Sequence, residues 1–223
     1  MNGILPVALV MGGASGALAA RLANRRPDEA PPAELRPQQG ANVELPGWLW
    51  LYPTIGSAGC GILAVRLPAQ TAAQAFVLAA WLTLACAGLC LSAVDIATHR
   101  LPTPIIAATS AVVSVLVLAA AWTQNSAKLA LAALLGALMC GGLYLTIAVA
   151  SRARIGLGDV RLAAVLGLGL GTAGPGPVIL GALAPFVLAL PAALALFVRD
   201  RDRGSELPFG PFLVAGALLA VTV

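Results

Sequence analysis

Apolar runs recur along the chain at membrane-spanning length, separated by short polar stretches. Covering about 30 Å of hydrocarbon takes about 20 apolar residues in a helix. On that measure the pattern predicts spans over Gly3 to Ala20, Gly47 to Val65, Ala69 to Val94, Ile105 to Trp122, Lys128 to Ala150, Val178 to Val198 and a short last span over Phe209 to Val223. The run from Val160 to Gly171 is only about a dozen residues long before Thr172-Ala173-Gly174-Pro175-Gly176-Pro177 breaks it. At 1.5 Å per residue this is too short to cross, so part of the preceding segment must enter the membrane as well. The expectation is an all-α, polytopic helical bundle of about eight transmembrane helices. It forms a single membrane-embedded domain over residues 1–223, with no room for a separate soluble one.

The breaks carry the punctuation that such a bundle needs. Residues 22–46 mix charge with proline (Arg25-Arg26-Pro27-Asp28-Glu29) and predict an exposed loop. Trp48, Trp50 and Tyr52 stand at the start of the second span, where aromatic rings anchor at the interface. Pro102 and Pro104 stop one helix and reset the next. Gly12-Gly13-Ala14-Ser15-Gly16 contains the Gly-x-x-x-Gly spacing that lets helices pack closely. The first apolar run is followed, not preceded, by Arg21, Arg25 and Arg26, which predicts a retained span with its N-terminus outside instead of a cleaved signal peptide.

Composition agrees with the pattern. Hydrophobic residues make up 60% of 223 and charged residues 10%, against about 25% charged in a soluble domain. The net charge of +4 does not mark a nucleic-acid binder, because the basic residues are scattered over short loops. With the N-terminus outside and eight crossings, every Lys and Arg except Arg66 and Lys128 falls on the inner side, as the positive-inside rule requires. The alternating Arg199 to Arg203 stretch reads as a solvated inner loop that fixes orientation. Cys60, Cys86, Cys90 and Cys140 lie inside apolar segments and read as packing residues. His99 is the one histidine, so neither a metal centre nor a Ser-His-Asp set is expected.

Seven of the nine acidic residues sit in polar, charged segments; Asp95 and Asp159 do not. Asp95 ends an apolar run, and Asp159 opens one behind Gly156 and Gly158. A carboxylate at the edge of lipid is costly and usually functional, and its partner is to be sought among residues of the same kind. An even number of crossings separates the two, which places both at the cytoplasmic end. Two carboxylates close together in a dry setting tend to share one proton, so that one serves as base and the other as acid. That pairing activates water against a peptide carbonyl. Gly156 and Gly158 are expected to admit positive φ and close approach, so that a substrate peptide lies beside the carboxylate; the plainer reading is a helix cap and packing.

Ile155-Gly156-Leu157-Gly158-Asp159-Val160-Arg161-Leu162 resembles the Gly-x-Gly-Asp motif of the type IV prepilin peptidases, which are polytopic membrane aspartic peptidases. Asp95 with Thr98-His99-Arg100-Leu101-Pro102 is similar to the family's first aspartate region, and Glu206-Leu207-Pro208-Phe209-Gly210-Pro211-Phe212 to its last-span signature. The stretch from Gly12 to Arg26 is similar to its opening span, so the likeness covers most of the chain. The resemblance implies that Asp95 and Asp159 are the catalytic pair. It also implies that the reaction is cleavage of the short basic leader of prepilin-like precursors at the cytoplasmic face of the inner membrane. Larger family members carry a zinc-binding cysteine domain after the first span and also methylate the new N-terminus. Residues 22–46 contain no cysteine, so peptidase activity alone is expected, with no S-adenosylmethionine or other cofactor.

Two readings compete. Intramembrane carboxylates also carry protons in relays and transporters, but those predict inverted repeats or broken midplane helices, and the chain has no internal repeat. A noncatalytic pilus or secretion assembly component that keeps the fold is the other. The Gly167-Leu168-Gly169-Leu170-Gly171 run follows no soluble strand and reads as helix packing instead of a dinucleotide loop.

Overall fold

The computed structural model describes residues 9–14, 17, 51–67, 69–99, 101–151, 156–199 and 207–223. Residues 9–14 and 17 are helical. The helices that follow are α1 (Leu51–Arg66), α2 (Ala72–Thr98), α3 (Thr103–Thr123), α4 (Ala127–Ala150), α5 (Leu157–Ala173), α6 (Pro175–Arg199) and α7 (Gly210–Thr222). No strand occurs among the described residues. Four helices, α2, α3, α4 and α6, are long and apolar enough to cross a membrane. The 22–46 loop, the Arg152–Ile155 segment before the Gly-x-Gly-Asp motif and most of the charged stretch after Arg199 lie outside the described residues.

Local chemistry explains where the helices begin and end. Thr71 and Gln74 form a reciprocal capping box that starts α2. The helix ends on His99 in the left-handed region (φ 52°), whose N–H donates to the Asp95 carbonyl at 2.7 Å. Pro104 falls in the first turn of α3, where its missing N–H costs nothing. The break after α5 is tighter than the glycine- and proline-rich sequence suggests: Gly174 alone, at φ 111°, makes the turn, and Pro175 already opens α6. Only a glycine adopts that backbone angle without strain. Pro185 and Pro191 lie inside α6.

α5 is the hub, touching α2, α3, α4, α6 and α7. Its 17 residues give a length of about 26 Å. It is short because it starts inside the motif, at Leu157, and it is sheathed by the longer helices. Its tightest partner is α4. Along that seam Gly136 faces Gly167 and Gly171, and Gly171 faces the backbone at Ala132 and Ala133, so any Cβ at these positions would strike the opposite main chain. The glycine run of α5 is therefore a helix-packing surface, as small residues are between membrane helices. Gly12 meets Gly56 of α1 in the same way, and Ser57 Oγ donates to the Leu9 carbonyl at 3.1 Å. Leu131, Leu135, Leu138 and Val149 of α4 and Leu183, Val187, Leu190 and Val198 of α6 point outward and exposed. An apolar exterior of that extent suits a lipid surroundings.

Candidate active site

One end of the bundle gathers the C-terminal end of α2 and the starts of α3, α5 and α7. Leu101 packs on Gly158, Arg161 donates from Nη1 to Thr103 Oγ1 at 2.8 Å, and Gly210 N–H donates to Asp95 Oδ2 at 2.9 Å. Asp95 and Asp159, read from sequence as a pair, are thereby brought to the same end, and the charge of Asp95 acts on Asp159.

Asp95 sits in the last turn of α2 and is 5% exposed. Such burial is tolerated only where the carboxylate finds donors, and here the donor is the first N–H of α7. The initial N–H groups of a helix have no partner within it. Pro211, the next residue, has no N–H to offer, which leaves Gly210 as the donor facing Asp95. A Cβ at position 210 would lie 2.9 Å from Asp95 Oδ2 and 3.3 Å from its Cγ, so any other residue there pushes the carboxylate off the N–H. Sequence reasoning read this Pro208-Phe209-Gly210-Pro211 stretch as the entry to the last span and missed Gly210 as a site residue. The signal was a glycine beside a proline at the start of a helix, where a free N–H is to be expected.

Asp159 is the third residue of α5. A carboxylate in the first turn is favoured by the helix dipole. Its Oδ2 is turned back toward Gly156, the residue that caps the helix. Its Oδ1 is buried and has no hydrogen-bond partner. Neither aspartate forms an ion pair among the described residues. A buried polar atom left unmatched is rare and marks a place where a proton, water or ligand belongs.

The two glycines of the motif do not behave as expected. Gly156 is extended (φ −65°, ψ 145°) and caps α5, and Gly158 lies within the helix; neither has positive φ. Gly158 is needed because a Cβ would come within 2.8 Å of the Leu101 Cβ, so its missing side chain admits Leu101 instead of an open peptide-binding face. Gly156 is exposed and, among the described residues, a Cβ on it would meet only Asp159 and Gly158, at ordinary contact distances. The helix-cap reading needs correcting too: α4 ends at Ala150, capped by Ser151, and Gly156 belongs to the next helix.

An aromatic wall closes the inner side of the site. Tyr144 of α4 stacks on Phe186 of α6 with ring centroids 5.3 Å apart, and Phe209, next to Gly210, packs against both at 6.1 and 5.5 Å. The Tyr144 hydroxyl is occupied, donating to the Ala182 carbonyl at 3.2 Å. Tyr144 is within electrostatic reach of Asp159, but its hydroxyl is already engaged with α6.

Comparison with known protein families, with curated proteins and with solved structures finds no match.

Proposed function

We propose that the chain is a membrane aspartic endopeptidase of the prepilin-peptidase type. The observation that carries the reading is the placing of Asp95 and Asp159 at one end of a helical bundle, close enough for the charge of one to act on the other, with one buried oxygen unmatched. Two carboxylates within reach of each other in a dry setting tend to hold one proton between them. Such a pair holds a water, one member accepting its proton while the other gives a proton to the scissile carbonyl oxygen. The resulting diol collapses as the C–N bond breaks. The amine nitrogen takes the proton from the first carboxyl, and the second regains its own from the diol.

The substrate is a precursor with a short basic leader followed by an apolar helix. Apolar, outward-facing flanks on α4 and α6 suit lateral entry of such a helix, and the exposed Gly156 suits approach of the peptide beside Asp159. In the proposed topology eight spans start with the N-terminus outside, and the aspartate end opens to the cytoplasm. Arg161, exposed at that end, and Arg66, at the far end of α1, fall on the sides that the positive-inside pattern gives them. The cysteine-free stretch 22–46 supports cleavage without methylation.

The test is co-expression with candidate prepilin-like precursors. Leader removal in the presence of the unaltered chain, and its loss in both Asp95→Asn and Asp159→Asn, is expected. Full processing by either variant removes the proposal. Mass spectrometry of the mature product is expected to show a free, unmethylated N-terminus.

A further inference from the structure

We propose that the backbone N–H of Gly210 holds Asp95 as the charged member of the pair, leaving the shared proton on Asp159. Asp95 is then the base that receives the proton of water, and Asp159 the acid that protonates the carbonyl oxygen. Gly210 is a positioning residue, acting through Asp95. The catalytic half of this inference rests on the peptidase reading; the charge assignment does not.

The two carboxylates differ in what surrounds their oxygens. Asp95 Oδ2 receives an N–H at 2.9 Å from the first turn of α7. That contact joins a charge-assisted hydrogen bond to the positive end of α7, and together they offset the negative end of α2, in whose last turn Asp95 sits, and favour the ionised form. A carboxylate is an acceptor only, whereas a carboxylic acid also has an O–H to place. Asp159 Oδ1, buried and receiving no donor, is the oxygen on which a proton costs least, and there it becomes a donor for a substrate carbonyl. Asp159 also stands in the first turn of a helix, but its buried Oδ1 receives no donor there.

Other ionisable groups around Asp95 do not overturn the asymmetry. On α2 itself His99 lies within electrostatic reach. Of the helices packed on α2, neither α3 nor α7 carries an ionisable side chain. α1 brings Cys60, which sits against Cys86, well before Asp95 in α2. α5 brings Asp159 and Arg161, and the guanidinium of Arg161 is engaged with Thr103.

Infrared difference spectroscopy on the purified full-length chain and its single variants reads the assignment without any substrate. The band of a protonated carboxyl group is expected to vanish in Asp159→Asn and, in Asp95→Asn, to remain but titrate at lower pH, because the Asp95 charge that helps to hold the proton is gone. A band that remains in Asp159→Asn, or identical titrations from the two variants, overturns the proposal. A protein that shows the expected spectra yet cuts no precursor would sink the peptidase reading while leaving the charge assignment intact.

Where cleavage is measurable, Gly210→Ala forces its Cβ against Asp95 and disturbs the N–H contact. The acid limb of the kcat/KM profile is expected to move up by about one pH unit, since a hydrogen bond to the ionised form is weakened. Gly216→Ala, lower on the same helix and packed on Pro185 instead of an aspartate, is the control for a purely structural disturbance. It is expected to slow cleavage without moving the limb. Equal movement in both variants, or none in Gly210→Ala, overturns the positioning role.

Discussion

The α4–α5 seam and the aspartate end lie on the same central helix and use the same residue type, glycine, to opposite ends. Along the seam Gly136, Gly167 and Gly171 bring two backbones together, and what they meet is more helix. No polar side chain is left unmatched there, so the contact is pure packing. At the aspartate end Gly210 brings a backbone N–H to a buried carboxylate, Gly158 makes room for Leu101, and one oxygen of Asp159 has no partner. Close packing holds the first region together. The second tolerates an unfavourable group because the rest of the bundle fixes its position, which is the usual relation between a scaffold and a reactive site.

That contrast predicts that chemistry and folding fail separately. The largest effect is expected from Asp95→Asn and Asp159→Asn. Each should reduce precursor processing by at least about 10²–10⁴-fold, the usual contribution of a positioned acid or base. Helical content and elution in detergent should stay unchanged. Gly167→Val should do the reverse. Its side chain has no space between α4 and α5, and overpacking of this kind costs about 1–3 kcal/mol, more where backbone is struck. Thermal unfolding in detergent should fall sharply, with processing lost only in proportion to folded protein. A Gly167→Val protein as stable as the unaltered chain would break the description of the seam.

Two smaller effects sharpen the boundary between the regions. Tyr144→Phe removes the hydroxyl that ties α4 to the Ala182 carbonyl of α6 but keeps the ring stack. A loss of about 1 kcal/mol of stability is expected, with little change in kcat; a large fall in kcat would make the tyrosine part of the chemistry. Thr71→Ala breaks the capping box at the end of α2 far from Asp95. It should cost about 1 kcal/mol or less, measured by thermal unfolding, and leave the pH profile of cleavage in place.

The apolar runs were legible because lipid-length helices need unbroken hydrophobic sequence. The boundaries of α2, α3 and α4 fall within a few residues of expectation. That Asp95 and Asp159 lie at the same end was legible for a related reason: a carboxylate in an apolar run stands out whatever it touches, and the number of crossings between the two is even. The glycines were not. In Gly156-Leu157-Gly158-Asp159 the sequence suggested conformational freedom, and the fold uses one glycine as an extended helix cap and the other as space for Leu101. Gly210 went unnoticed because its function rests on a backbone N–H, and every residue but proline has one.

Composition and periodicity alone therefore determined that the chain is helical and apolar enough for a bilayer, and that two aspartates are out of place in it. Helix propensity and hydrophobic burial act through a few neighbouring residues, so a linear reading suffices for them. Only the tertiary structure decided which neighbours each carboxylate received, the first N–H of α7 for Asp95 and no hydrogen-bond donor for Asp159 Oδ1. Those contacts join residues far apart in the chain, and hydrogen bonding depends on distance and direction that no sequence spacing encodes.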